Sequence, residues 1–89
     1  MKIVTVCGLG VGSSLILRMT AESALSNLGE DADIEHWDMG TVQSQDYDLL
    51  ITTEEFRDNF QGQDNVIFIN NVIDVDEVTE KIKKYLDKV

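Results

Sequence analysis

Lys2-Ile3-Val4-Thr5-Val6-Cys7-Gly8-Leu9-Gly10-Val11-Gly12-Ser13-Ser14 decides the fold, because the pattern changes character twice within it. Lys2 to Val6 is a short β-branched run, and the glycines at 8, 10 and 12 break it into a turn. From Ser13 to about Leu28 the period becomes helical. Leu17, Ala21, Ala24, Leu25 and Leu28 recur three or four residues apart and make one apolar face. Gly29 stands where a helix commonly stops. Strand, glycine turn and helix together open a β-α-β unit.

The rest of the chain repeats the alternation. Ala32 to Trp37 reads as a second strand, and Asp38 to Asp46 is polar and expected to be loop. Asp48 to Thr52 is a compact apolar run, the third strand. Thr52 with Glu55 has the spacing of a capping box, predicting a short helix through about Phe60. Asn65 to Asn70 is the fourth strand. Asp74 begins a last helix, with Glu77 placed to complete a second cap and an apolar stripe at Val75, Val78, Ile82, Tyr85, Leu86 and Val89. Lys81, Lys83, Lys84 and Lys88 favour its negative C-terminal end.

This order predicts an α/β, flavodoxin-like three-layer sandwich: a four-stranded parallel sheet in the order 2-1-3-4, with right-handed crossovers. In such sheets ligands sit beyond the carboxyl ends of the strands, at the switch point beside the first strand. Cys7 falls there. The 89 residues are expected to form one domain, residues 1–89, with no repeat, low-complexity tract or linker.

Composition excludes several functions. A net charge of −10 argues against a nucleic-acid footprint. No stretch reaches the roughly 18–20 apolar residues that a membrane span needs, and the short run before Gly8 does not read as a signal peptide. One cysteine allows no internal disulfide, so a reducing, cytoplasmic setting is expected. Asp38, Asp46 and Asp48 carry no metal-ligand spacing, and neither metal nor cofactor is expected.

The chemistry lies in the turn. Glycines let successive N–H groups converge on an anion. The helix that follows adds its positive end, and Ser13 and Ser14 add hydroxyls. A thiol at a helix N-terminus is acidified from about 8.5 toward roughly 3.5–7.5. Cys7 is therefore expected to be nucleophile and, once modified, bearer of a phosphoryl group.

Neighbouring motifs fail. Ser13 stands where a dinucleotide-binding G-x-G-x-x-G would need glycine, and the loop lacks the lysine of a Walker A motif. A low-molecular-weight tyrosine phosphatase has a similar layout but needs arginine six residues after the cysteine, where Ser13 stands. The nearest arginine, Arg18, lies in the second turn of the helix.

Cys7 followed by Gly-x-Gly-x-Gly-Ser-Ser opening a helix resembles the IIB component of a sugar phosphotransferase system, and the likeness extends over essentially the whole chain. Within that group the run Cys7 to Met19 is most similar to the L-ascorbate type, with the lactose/cellobiose and galactitol types more distant. The resemblance implies a phosphotransferase. Cys7 would take a phosphoryl group from the phosphohistidine of a IIA protein and hold it as phosphocysteine. It would then pass it to a sugar, L-ascorbate, bound by the membrane component IIC. Gly8, Leu9, Gly10, Val11, Gly12, Ser13 and Ser14 would form the phosphate-binding loop. The chain would be cytoplasmic, associated with IIC without entering the membrane.

Other readings of the same residues are a thiol-based phosphatase or reductase, a phosphate-sensing module, and a carrier for another sugar such as galactitol. His36, beside Trp37 in the second strand, has no glycine nest near it and reads as a surface or edge histidine. Thr52 and Thr53 leave the end of a neighbouring strand and are candidates to help at the phosphate site with their hydroxyls, though helix capping also accounts for them. Glu54 and Glu55 are expected to point away from a phosphate, and Leu9, Val11, Leu15 and Ile16 are candidates for an apolar docking collar.

Overall fold

β1 (Lys2–Val6) lies inside a four-stranded, all-parallel sheet of order β2-β1-β3-β4, with β2 spanning Asp33–Trp37, β3 Leu49–Thr53 and β4 Val66–Ile69. A computed structural model describes residues 1–6, 11–37, 42 and 46–88, with side chains described for these except 11–14 and 88. Register places Val6 opposite Trp37 on β2 and Thr52 on β3. This is the expected α/β flavodoxin-like arrangement and strand order.

Alternation along the strands divides the core in two. Ile3, Leu49, Ile51, Ile67 and Ile69 face the helices α1 (Val11–Leu28) and α2 (Val75–Lys88), where Leu17, Ala21, Ala24, Val78 and Ile82 meet them. Val4, Val6 and Leu50 face the other way, against Val42 and Phe60. Phe60 ends a 3₁₀ helix, Glu54–Phe60. Val42 is wholly buried with helical backbone inside the stretch read as polar loop; residues 38–41 and 43–45 lie outside the described residues. β2 is an edge strand, and Asp33, Glu35 and His36 are exposed along it.

Three local expectations need correction. α1 begins at Val11 rather than Ser13, so Gly12 lies in its first turn and the connection from β1 is only residues 7–10. The roughly 1 kcal/mol that glycine costs a helix interior does not stop this helix, because apolar packing further along it dominates. The Thr52–Glu55 capping box does not form: Thr52 is a β3 residue, and Thr53 precedes the 3₁₀ helix with no side-chain cap bond. Half of the second cap forms, with the Glu77 amide donating to Asp74 Oδ1 at 3.1 Å, but the Glu77 carboxylate turns elsewhere. Val89, the end of the predicted stripe, lies outside the described residues.

The C-terminal end of α1 follows its sequence. Gly29 adopts φ +69°, its amide donates to the Ser26 carbonyl, and the Glu30 amide donates to that of Leu25. This is a Schellman closure, which needs the left-handed conformation that glycine adopts without strain.

Candidate functional site

Cys7, Gly8, Leu9 and Gly10 lie outside the described residues, but both of their flanks are fixed. Val6 ends β1, fully buried, and Val11 starts α1. The chain leaves β1 for β2 on one side and returns to β3 on the other, so the switch point lies beyond the end of β1. α1 starts at Val11, so the amides of its first turn at Val11, Gly12 and Ser13 have no acceptor within the helix. No acidic residue stands in that turn, so nothing there neutralises the positive end of the helix.

β3 ends beside this point. Thr52 is fully buried, and its hydroxyl donates to the carbonyl of Val6 at 2.8 Å. The glutamates that follow are engaged nearby. Arg57 donates to both carboxylate oxygens of Glu54, at 2.8 and 2.6 Å, and holds that carboxyl below its ordinary range. The Arg57 guanidinium also stacks 4.4 Å from the centre of the Phe68 ring. Phe68 is on β4, on the far side of β3 from β1, so the pair draws Glu54 away from the end of β1. Glu55 accepts from the Thr53 hydroxyl at 3.0 Å.

The turn after β4 is tied on two sides. The Thr20 hydroxyl of α1 lies 2.6 Å from the Val72 carbonyl and 3.0 Å from that of Ile16. From α2, the Glu77 carboxylate accepts from the amides of Asn70 and Asn71 at 2.8 and 3.0 Å and from Lys81 Nζ at 2.8 Å. Burial alone would raise the Glu77 pKa, but the hydrogen bonds from Lys81, Asn70 and Asn71 outweigh it and hold it at about 2.

This has a pH signature. The folded-state pKa is depressed below the ordinary 4.5, so the clamp is at full strength above about 4.5 and is lost as pH falls through about 2. We expect Glu77→Gln to lower stability at neutral pH by on the order of 2 kcal/mol, and to flatten the fall in stability across that window. Urea melts between pH 7 and pH 2 check this; parallel wild-type and variant curves would refute it.

The outer face of α1 exposes apolar side chains. Leu15 is 45%, Ile16 43% and Met19 60% exposed, and Ile73, next to the Val72 that Thr20 engages, is 68% exposed. Leu15 and Ile16 therefore point outward, as a collar requires. Leu9 lies outside the described residues, and so does the side chain of Val11. His36 is exposed on the edge strand, its Nδ1 3.3 Å from Nη1 of Arg18, whose Nε donates to Glu22 at 3.0 Å. Sequence reasoning missed the Thr52–Val6 and Glu77–Asn70 contacts, since both join residues that only the tertiary fold brings together.

The profile of the family described as PTS system, Lactose/Cellobiose specific IIB subunit, matches residues 2–88. The chain belongs to the PTS IIB family. It is also similar to the ascorbate-specific PTS system EIIB component of Mycoplasma pneumoniae, at 26% identity over 92 residues, covering 97% of this chain and 95% of that protein. PTS IIB subunits are phosphotransferases that carry phosphoryl groups in sugar phosphotransferase systems, between IIA and membrane IIC components. The two descriptions agree on the IIB class and name different sugars. Among the described residues no helix is long and apolar enough to cross a membrane.

Proposed function

We propose that this PTS IIB chain carries its phosphoryl group on the sulfur of Cys7, held by Gly8, Leu9 and Gly10 of the connection and by Val11, Gly12, Ser13 and Ser14 of the first turn of α1, and delivers it to L-ascorbate. The observation that carries the reading is the placement of the 7–10 connection: it leaves the end of an interior strand at the switch point and enters a helix whose first turn has no acid. A helix N-terminus favours thiolate and phosphate alike, and Cys7 precedes this one by four residues in sequence. The likeness to an ascorbate-specific component supports the sugar.

Two transfers follow. The Cys7 thiolate attacks the phosphorus of the IIA phosphohistidine; an S–P bond forms as the N–P bond breaks, and the departing imidazole takes up a proton from water. A hydroxyl oxygen of the sugar held by IIC then attacks the same phosphorus. The O–P bond forms, the S–P bond breaks, the thiolate is restored and the hydroxyl proton passes to solvent. The protein's contribution is position and charge stabilisation.

Incubation with phosphorylated IIA, followed by intact-mass measurement, tests the carrier. Wild type is expected to gain one phosphoryl group, mapped to Cys7 and discharged to L-ascorbate when membranes holding an ascorbate-type IIC are added. An unchanged mass would refute the carrier. Discharge only to galactitol or cellobiose, with membranes holding the matching IIC, would correct the sugar and leave the carrier standing.

A further inference from the structure

We propose that Thr52 is a positioning residue for transfer at Cys7: its buried hydroxyl fixes the Val6 carbonyl and thereby restrains the peptide unit that joins Val6 to the cysteine. The proposal rests on Cys7 being the carrier.

A threonine inside a sheet is more demanding than the similarly shaped valine, because its hydroxyl must find a partner once buried. The preceding β3 residues, Leu49, Leu50 and Ile51, are wholly buried and apolar, and the hydroxyl enters only at position 52. Helix capping does not account for it. Thr53, not Thr52, precedes the 3₁₀ helix, and the Thr52 hydroxyl donates across the sheet, at 2.8 Å, to a residue 46 positions earlier.

That acceptor is the last carbonyl of β1, at the place where strand gives way to connection. A peptide group is planar, with a barrier of about 18–20 kcal/mol to rotation. Holding the oxygen on one edge of the plane therefore restrains the nitrogen on the other, and that nitrogen belongs to Cys7. The hydroxyl bond thus restrains the last peptide unit that leaves β1. In-line transfer is sensitive to such placement: an error of about 1 Å at the reacting atom can cost on the order of 100-fold.

Thr52→Val keeps the shape and removes the donor, and Thr52→Ser keeps the donor. Two rates are compared: phosphoryl transfer from IIA, and carbamidomethylation of Cys7 by iodoacetamide as a function of pH, which needs no partner. Thr52→Val is expected to slow transfer by roughly 10- to 100-fold. It should also move the alkylation midpoint to higher pH, and Thr52→Ser should restore both. A purely structural hydroxyl would change the melting temperature and leave the alkylation midpoint in place. Thr52→Val matching a phosphorylated wild type in rate and midpoint overturns the proposal; a wild type that takes no phosphoryl group overturns the carrier reading instead. Should Thr52→Val not fold, Thr52→Ala serves as the donor-free variant under the same criteria.

Discussion

Cys7→Ser is expected to abolish phosphoryl capture from IIA, lowering the transfer rate by on the order of 10⁴-fold or more. The difference is chemical rather than steric. Sulfur at a helix N-terminus is largely thiolate near neutral pH, whereas a serine hydroxyl stays protonated and needs a general base to become a nucleophile. The described neighbours of the β1 end supply no evident base: Thr52 spends its proton on Val6, and the Glu54 carboxylate is held by Arg57 on the far side of β3. His36→Gln gives the matching control. His36 is an exposed edge-strand residue turned toward Arg18, so its loss is expected to leave the transfer rate within about twofold of wild type. Rapid-quench transfer from radiolabelled IIA measures both variants side by side. Retained labelling in Cys7→Ser together with lost labelling in His36→Gln would move the carrier from sulfur to imidazole.

The sheet and its order were legible because their signals are local and repeated. Short runs dominated by apolar residues at Ile3–Val6, Leu49–Ile51 and Val66–Ile69, separated by helical or turn segments, leave few arrangements other than a parallel sheet. Four strands joined in this way then favour the order 2-1-3-4, with the first loop at the switch point. Capping was misread where a distant partner outcompeted a nearby one. Thr52 and Glu77 both sit at capping-box spacing, yet Thr52 is taken by the Val6 carbonyl and the Glu77 carboxylate by the amides of Asn70 and Asn71. A buried carbonyl needs a partner more than a solvated helix end does, and sequence spacing carries no trace of either distant contact. Val42 was hidden for a related reason. A single apolar residue in a polar stretch has no period to reveal it, and it is buried because the second face of the sheet needs a cover. The candidate loop was the reverse case. The proposal for Cys7 and its glycines rests on residue type, while the bond to the Val6 carbonyl before them comes from a residue 46 positions later.

Leu17→Ala is expected to have the largest effect on stability, about 2–5 kcal/mol. Leu17 is fully buried in the cluster that joins α1 to the sheet and to α2. Removing its terminal carbons leaves a cavity in a cluster whose stiff, β-branched members, Ile3, Ile51 and Ile82 among them, do not readily repack. Against a typical total of about 5–15 kcal/mol, and at about 4–8 °C per kcal/mol for a domain of this size, the melting temperature should fall by roughly 8–40 °C. Leu15→Ala, two residues earlier on the exposed side of the helix, should change stability by no more than about 0.5 kcal/mol. Thermal melts of the two variants decide the matter, and equal losses would mean that α1 is rotated from the register described. The contrast bears on function because one helix serves two ends. The contacts of Leu17, Ala21 and Ala24 hold α1 against the sheet, and that hold sets where the first-turn amides of Val11 to Ser13 stand relative to the end of β1. A PTS IIB chain with a loosened α1 should therefore lose transfer activity at temperatures well below its own melting point, since the position of the first turn of the helix depends on a leucine further along it.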